Sequence, residues 1–120
     1  MKTILIADDE EDVRILVYIT LASPRYCILE AGDGKSALEI ARKERPDLLV
    51  LDRMMPRMNG FEVVEALRQD PLTADIPIIM LTAIREEGDI KLTSNMGLFS
   101  YMLKPFNPLE LREKVRAMLE

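Results

Sequence analysis

The 120-residue chain contains no histidine and a single cysteine. Without an imidazole, histidine-based metal binding and acid–base catalysis are excluded, and any phosphohistidine in its chemistry belongs to another protein. Cys27 can form no internal disulfide. Inside the apolar stretch "YCILEA" it is expected to be a buried small hydrophobe rather than a nucleophile. No apolar run approaches the ~18 residues of a membrane span, and no signal-peptide pattern opens the chain. A cytoplasmic location without a membrane partner is therefore expected. Basic residues are outnumbered by acids, 16 to 21, for a net charge of −5. That balance argues against direct nucleic-acid binding by this domain. There is no internal repeat, no low-complexity segment and no linker.

What is present fits one domain over residues 1–120, long enough to bury a real core without staples. Of its residues 48% are hydrophobic and 31% charged, a globular balance. Five short apolar runs recur: Thr3 to Ala7, Cys27 to Ala31, Leu48 to Leu51, Ile78 to Leu81, and Tyr101 to Leu103. Helical periodicity lies between and after them. Val13, Leu16, Val17 and Thr20 share a face, as do Ala37, Leu38 and Ala41, then Phe61, Val64 and Leu67, and last Leu111, Val115, Met118 and Leu119. The fourth helical segment, residues 84–97, is the weakest, with Gly88 near its start and a sparse stripe of Ile84, Leu92 and Met96. The fifth has the clearest start, with Asn107 as N-cap, Pro108 at the first helical position and Glu110 where a capping-box carboxylate belongs. Continuous apolar strands alternating with helices predict a doubly wound, five-stranded parallel α/β sheet flanked by five helices.

In such sheets ligands sit beyond the carboxyl ends of the strands. After the first run comes "DDEED", after the third Asp52, after the fourth Thr82 and Ala83, and after the fifth Lys104 and Pro105. Each piece has an ordinary reading. Residues 8–12 can be acids complementing a helix N-terminus, Asp52 can cap a turn, Thr82 can be a turn hydroxyl and Lys104 a solvated lysine. Taken together, carboxylates converging on one point repel unless a divalent cation sits among them. Oxygen ligands suit Mg2+, which usually binds beside a phosphate. Lys104 and Thr82 are then placed to contact phosphoryl oxygens, and Asp52 to accept a phosphoryl group as an acyl phosphate.

The ordered stretches "ILIADDEEDVR", "DLLVLDRMMPRMNGFE", "IPIIMLTA" and "YMLKPF" resemble, over the whole chain, the two-component response-regulator receiver domain. The resemblance implies the flavodoxin-like strand order 2-1-3-4-5. It implies that Asp52 is the phosphoacceptor, that Asp8 and Asp9 hold Mg2+ directly or through water, and that the Met54 backbone carbonyl is a further ligand. Thr82 and Lys104 would contact the phosphoryl oxygens, Tyr101 would be the switch aromatic, and the Lys104-Pro105 bond would be cis. The donor would be a histidine kinase or a histidine phosphotransfer protein. The domain would catalyse only its own phosphorylation and dephosphorylation, and would signal to a downstream protein through the face of the fourth helix, fifth strand and fifth helix. A homodimer through that face is also implied. The chain would be a stand-alone receiver or the N-terminal part of a longer regulator.

Two departures from the family pattern are visible. Where many DNA-binding members carry an Asp-Asp pair before the aromatic, this chain has Phe99 and Ser100, so the acidic half of an interdomain salt-bridge network is missing. The positions two beyond Asp52 and two beyond Thr82 are apolar, Met54 and Ile84. Other readings fit less well. A haloacid-dehalogenase-type phosphatase needs a second acid where Met54 stands, and a flavin binder would have its phosphate repelled by "DDEED". The alternative that keeps the fold is a degenerate receiver acting as a phosphorylation-independent interaction module.

Overall fold

A computed structural model of the protein describes residues 1–83 and 99–120, Phe99 as backbone alone. Five strands, β1 (Lys2–Ala7), β2 (Tyr26–Ala31), β3 (Leu48–Asp52), β4 (Ile78–Thr82) and β5 (Phe99–Leu103), form one sheet in the order β2-β1-β3-β4-β5. Every adjacent pair is parallel. Helices α1 (Glu11–Leu21), α2 (Gly34–Glu44), α3 (Gly60–Arg68) and a C-terminal helix (Pro108–Leu119) are described. The expected fourth helical segment, with Ile84, lies outside the described residues.

The central strands explain the layering. All five residues of β3 and all five of β4 are buried. A strand hidden on both faces needs cover on both, and a parallel crossover supplies it. One face packs Leu5, Leu49, Leu51, Ile78 and Met80 against Ala37, Ala41, Val63, Val64 and Leu67 of α2 and α3. The other packs Ile4, Ile6, Val50, Ile79 and Leu81 against Val17 and Leu21 of α1 and Leu111 and Val115 of the C-terminal helix. Each fully buried Leu or Ile contributes ~1.5–3 kcal/mol relative to exposure.

Two expectations need correction. Cys27 is exposed rather than buried, because β2 is the edge strand and only Ala31 at its end is fully covered. Leu16 is 46% exposed, and the covered stripe of α1 is Val17, Thr20 and Leu21. The periodicity misled there because Ile15, Leu16, Tyr18 and Ile19 are all exposed apolar residues, so α1 carries apolar groups around much of its circumference. In α3 the sequence pattern missed Val63, which is fully buried, while Phe61 is partly buried with the Arg53 guanidinium 5.7 Å from its ring centre.

Helix starts are set by side chains. Asn107 accepts from the Glu110 N–H with Pro108 in the first turn. Asn59 and Glu62 form a complete capping box at α3, and Asp33 caps α2 through Ser36. Such caps satisfy backbone N–H groups that the first turn leaves open, so these three helices begin at fixed points, whereas α1 follows Glu10 with no side-chain cap.

Candidate functional site

Because the sheet is parallel, the C-terminal ends of β1, β3, β4 and β5 lie along one edge, and the segments after them meet there. Asp8 follows β1, and its N–H is held by the Ala31 carbonyl of β2 at 3.1 Å. Asp52 ends β3. Lys104 follows β5, its N–H donating to the carbonyl of Thr82 at the end of β4 at 2.8 Å, and the Lys104-Pro105 peptide is cis.

Lys104 joins the two buried acids. Its Nζ donates to Asp8 Oδ2 at 2.9 Å and to Asp52 Oδ1 at 3.2 Å. Asp8 and Asp52 are only 3% and 5% exposed, so this ammonium is their shared counter-charge in a place where water cannot screen them. One ammonium does not neutralise two carboxylates. Burial, reinforced by repulsion from Asp8, pushes the Asp52 carboxyl up to about 6, against the opposing pull of Lys104 and of a hydrogen bond from the Met54 N–H. For Lys104 burial disfavours the charged form, but hydrogen bonds and attraction to Asp8 and Asp52 outweigh it and raise its pKa.

A second group of acids adjoins the first. Carboxylate oxygens of Asp8, Asp9 and Glu10 lie within 4.8 Å of one another, Asp8 buried and the other two exposed. Asp52 is outside this trio, coupled to it by its repulsion from Asp8 and by the Lys104 bridge to that residue. Asp8 also accepts from the Glu10 N–H through Oδ1 at 2.9 Å, so both of its oxygens are engaged.

The remaining sequence-selected residues fall around this centre. Thr82 is buried at the end of β4. Tyr101 sits on β5 opposite Met80, half-buried against the core of the α2 and α3 face. Met54, two residues beyond Asp52, has a 59% exposed side chain, and its N–H donates to the Asp52 carboxylate.

Glu10 and Arg14 were not singled out from sequence. Arg14 donates to the Asp8 carbonyl at 2.7 Å and, through Nε, to Glu30 on β2 at 3.2 Å. It ties the start of the acidic loop to the sheet edge. The signal was faint: an arginine in the first turns of a helix reads as a surface residue until the backbone is seen to fold back past it. Arg14→Ala removes a charge-assisted bond from a partly buried carbonyl, and a loss of about 1–2 kcal/mol in urea unfolding, with unchanged slope, is expected.

Comparison with known proteins identifies the family. The family model "Response regulator receiver domain" matches residues 4–116. The chain belongs to that family. This receiver domain is 45% identical over 118 residues to the alkaline phosphatase synthesis transcriptional regulatory protein PhoP of Bacillus subtilis, covering 98% of the chain and 48% of that protein. It is 42% identical to the phosphate regulon transcriptional regulatory protein PhoB of Pseudomonas aeruginosa, covering 98% of the chain and 52% of the relative. The receiver domain thus spans about half the length of these curated relatives. Among solved structures, the chemotaxis protein CheY4 of Vibrio cholerae superposes with a TM-score of 0.89 at 34% identity, covering 99% of each chain. A response regulator receiver domain from Francisella gives 0.87 at 26% identity over 98% of this chain and 96% of that one. No helix among the described residues is long and apolar enough to cross a membrane.

Proposed function

We propose that this receiver domain is a phosphoacceptor switch in which Asp52 takes a phosphoryl group from the phosphohistidine of a histidine kinase or histidine phosphotransfer protein. The observation that carries the reading is the buried triad of Asp52, Lys104 and Asp8. With its carboxyl near 6, Asp52 is predominantly a carboxylate at neutral pH and can attack phosphorus. The new bond joins an Asp52 oxygen to phosphorus, the phosphorus–nitrogen bond breaks, and its electron pair returns to the donor imidazole. Lys104, already 3.2 Å from Asp52, is placed to pair with the phosphoryl oxygens, and Thr82 lies at the adjoining strand end.

The donor set also fits Mg2+. The buried carboxylates of Asp8 and Asp52 share one ammonium, the exposed Asp9 and Glu10 adjoin Asp8, and all four offer the hard oxygen ligands this cation takes. Asp8, Asp9 and Asp52, with the Met54 carbonyl, would hold it, and it would neutralise charge on the transferring group. Removing carboxylate repulsion by metal binding stabilises the fold, so millimolar Mg2+ is expected to raise the melting temperature at pH 7.

Phosphorylation would draw Thr82 toward Asp52 and let Tyr101 turn inward, biasing two pre-existing arrangements of the output face. On that face Lys114 donates to Ser100 Oγ at 2.9 Å. A homodimer there would rest on contacts other than an ion pair at Ser100. The proposed setting is the cytoplasm, with an unidentified downstream protein and no nucleic-acid contact by this domain. The deciding experiment offers a small-molecule acyl phosphate with and without Mg2+. Metal-dependent gain of one hydroxylamine-labile phosphoryl group is expected. Absence of uptake would overturn the reading in favour of a phosphorylation-independent interaction module.

The lifetime of the acyl phosphate should follow Met54. Hydrolysis needs a water in line behind phosphorus, and a thioether neither orients that water strongly nor leaves its path open. Met54→Asn is expected to shorten the lifetime several-fold, measured by loss of the phosphorylated mass after donor removal. An unchanged lifetime in a variant that still binds Mg2+ would remove the role.

A further inference from the structure

At the end of the molecule remote from Asp52, where β2 begins, a cavity of about 480 Å3 opens between the last turn of α1, the segment before β2 and the last turns of the C-terminal helix. Its volume is within the usual range for small-ligand pockets, ~300–1,000 Å3. Arg25, Arg112 and Arg116 line it with Tyr26 and Ser23, and Glu120 is its only acid. In a chain with 21 acids and 16 bases this is a local reversal of charge.

Glu120 shows what these walls recognise. Arg25 donates to its Oε1 at 2.7 Å and the Tyr26 hydroxyl to its Oε2 at 2.9 Å. Burial and the Glu120 carboxylate hold the Tyr26 pKa above its ordinary value, so the phenol stays a donor throughout the neutral range. The other two guanidiniums are poorly used. Arg112 makes one long bond, Nε to the Thr20 carbonyl at 3.4 Å. No hydrogen bond or ion pair among the described residues engages the Arg116 side chain. Arg112 and Arg116 are four residues apart on one helical face, where like charges repel. Each guanidinium is a fork of five donors matched to a carboxylate or phosphate. One glutamate cannot satisfy three of them.

We infer that this pocket is an oxyanion site that binds a small dianion, phosphate-bearing or dicarboxylate, through Arg112 and Arg116, with Arg25 and Tyr26 shared between the ligand and Glu120. The ligand is small because the walls belong to three short segments around one cavity, and doubly charged because the three arginines exceed Glu120 by two charges. Glu120 is an internal competitor: a ligand reaching Arg25 displaces it and loosens the last turn of the C-terminal helix from β2.

The test is a titration of the metal-free domain with inorganic phosphate, with succinate and with sodium chloride at matched ionic strength, followed by two-dimensional NMR including the arginine Nε–H signals. Saturable shifts at Arg112, Arg116 and Tyr26 are expected with phosphate or succinate but not chloride, and the tighter of the two names the ligand class. Arg112→Ala with Arg116→Ala should weaken binding at least tenfold with an unchanged far-UV spectrum. Glu120→Gln, which removes the competitor, should tighten it. Shifts that equal those with chloride, or that persist in the double variant, would overturn the site. Both readouts are independent of phosphorylation at Asp52.

Discussion

Asp52→Asn is expected to have two effects of opposite kind. Phosphoryl uptake should fall below about 1% of the parent's, because an amide cannot serve as the nucleophile. At the same time the metal-free protein should become more stable at neutral pH. The folded-state carboxyl sits near 6, above its ordinary value of 3.8, so the folded protein binds more protons than the unfolded chain between those values. Stability contributed by the neutral form is therefore lost as pH rises from about 4 to 6, and the ionised, buried carboxylate beside Asp8 is a penalty above that range. The value near 6 already includes the pull of Lys104; because the amide also gives up the ion pair with that lysine, the net gain on substitution should be roughly 1–2 kcal/mol at pH 7. The difference in melting temperature between variant and parent should be near zero at pH 4 and full by pH 7. A variant that melts lower than the parent at pH 7 without metal would contradict the strained-carboxylate picture. Uptake that survived the substitution would move the phosphoacceptor elsewhere.

Gly34→Ala should be the most damaging single-methyl change. Gly34 opens α2, and a Cβ placed there would stand 1.9 Å from the Met58 carbonyl oxygen and 2.6 Å from its carbon. The obstacle is backbone, with no flexible side chain to swing aside. The loop between β3 and α3 must retreat, or α2 must shift along the sheet. Overpacking typically costs ~1–3 kcal/mol, and a backbone obstruction belongs at or above the top of that range. A drop of roughly 10 °C in melting temperature is expected for a domain of this size. The same loop follows Asp52, and Arg57 in it lies 3.7 Å from Asp33, the residue before Gly34. So phosphoryl uptake should fall as well, although Gly34 touches none of the reacting groups. A stable, fully active Gly34→Ala protein would show that the loop yields without consequence.

The central strands were legible in the sequence because each is an unbroken apolar run, and in a parallel sheet such runs must be buried on both faces. Their boundaries were read within two residues: β3 gains Asp52 at its end, and β5 begins at Phe99 rather than Tyr101. The convergence of Asp8, Asp52 and Lys104 was legible for the same reason, since parallel strands bring their C-terminal ends to one edge. What escaped was local. Cys27 looked buried because composition does not reveal which strand is the edge. Leu16 looked buried because α1 has too many apolar residues to define one face. Arg14 acts through a backbone carbonyl, whose position no side-chain pattern specifies, whereas the capping pair Asn59 and Glu62 carries the same spacing as Asn107 and Glu110 and was open to the same reading. The association of Asp9 with Glu10 depends on how the chain turns after β1, which the charge run alone leaves open.

Lys104 and Asp8 lie 96 positions apart, and β5, the strand that carries Lys104 to its partner, is the last strand of the domain's sheet in chain order. A nascent polypeptide still threading from the ribosome has both aspartates long before it has the ammonium. Helices and neighbouring segments assemble quickly, whereas closure between the two ends of a chain is late. Until β5 docks, Asp8 and Asp52 lack the ammonium that joins them among the described residues. The bridge therefore registers closure of the sheet: a domain whose β5 is unmade or frayed lacks the lysine that pairs its two buried acids.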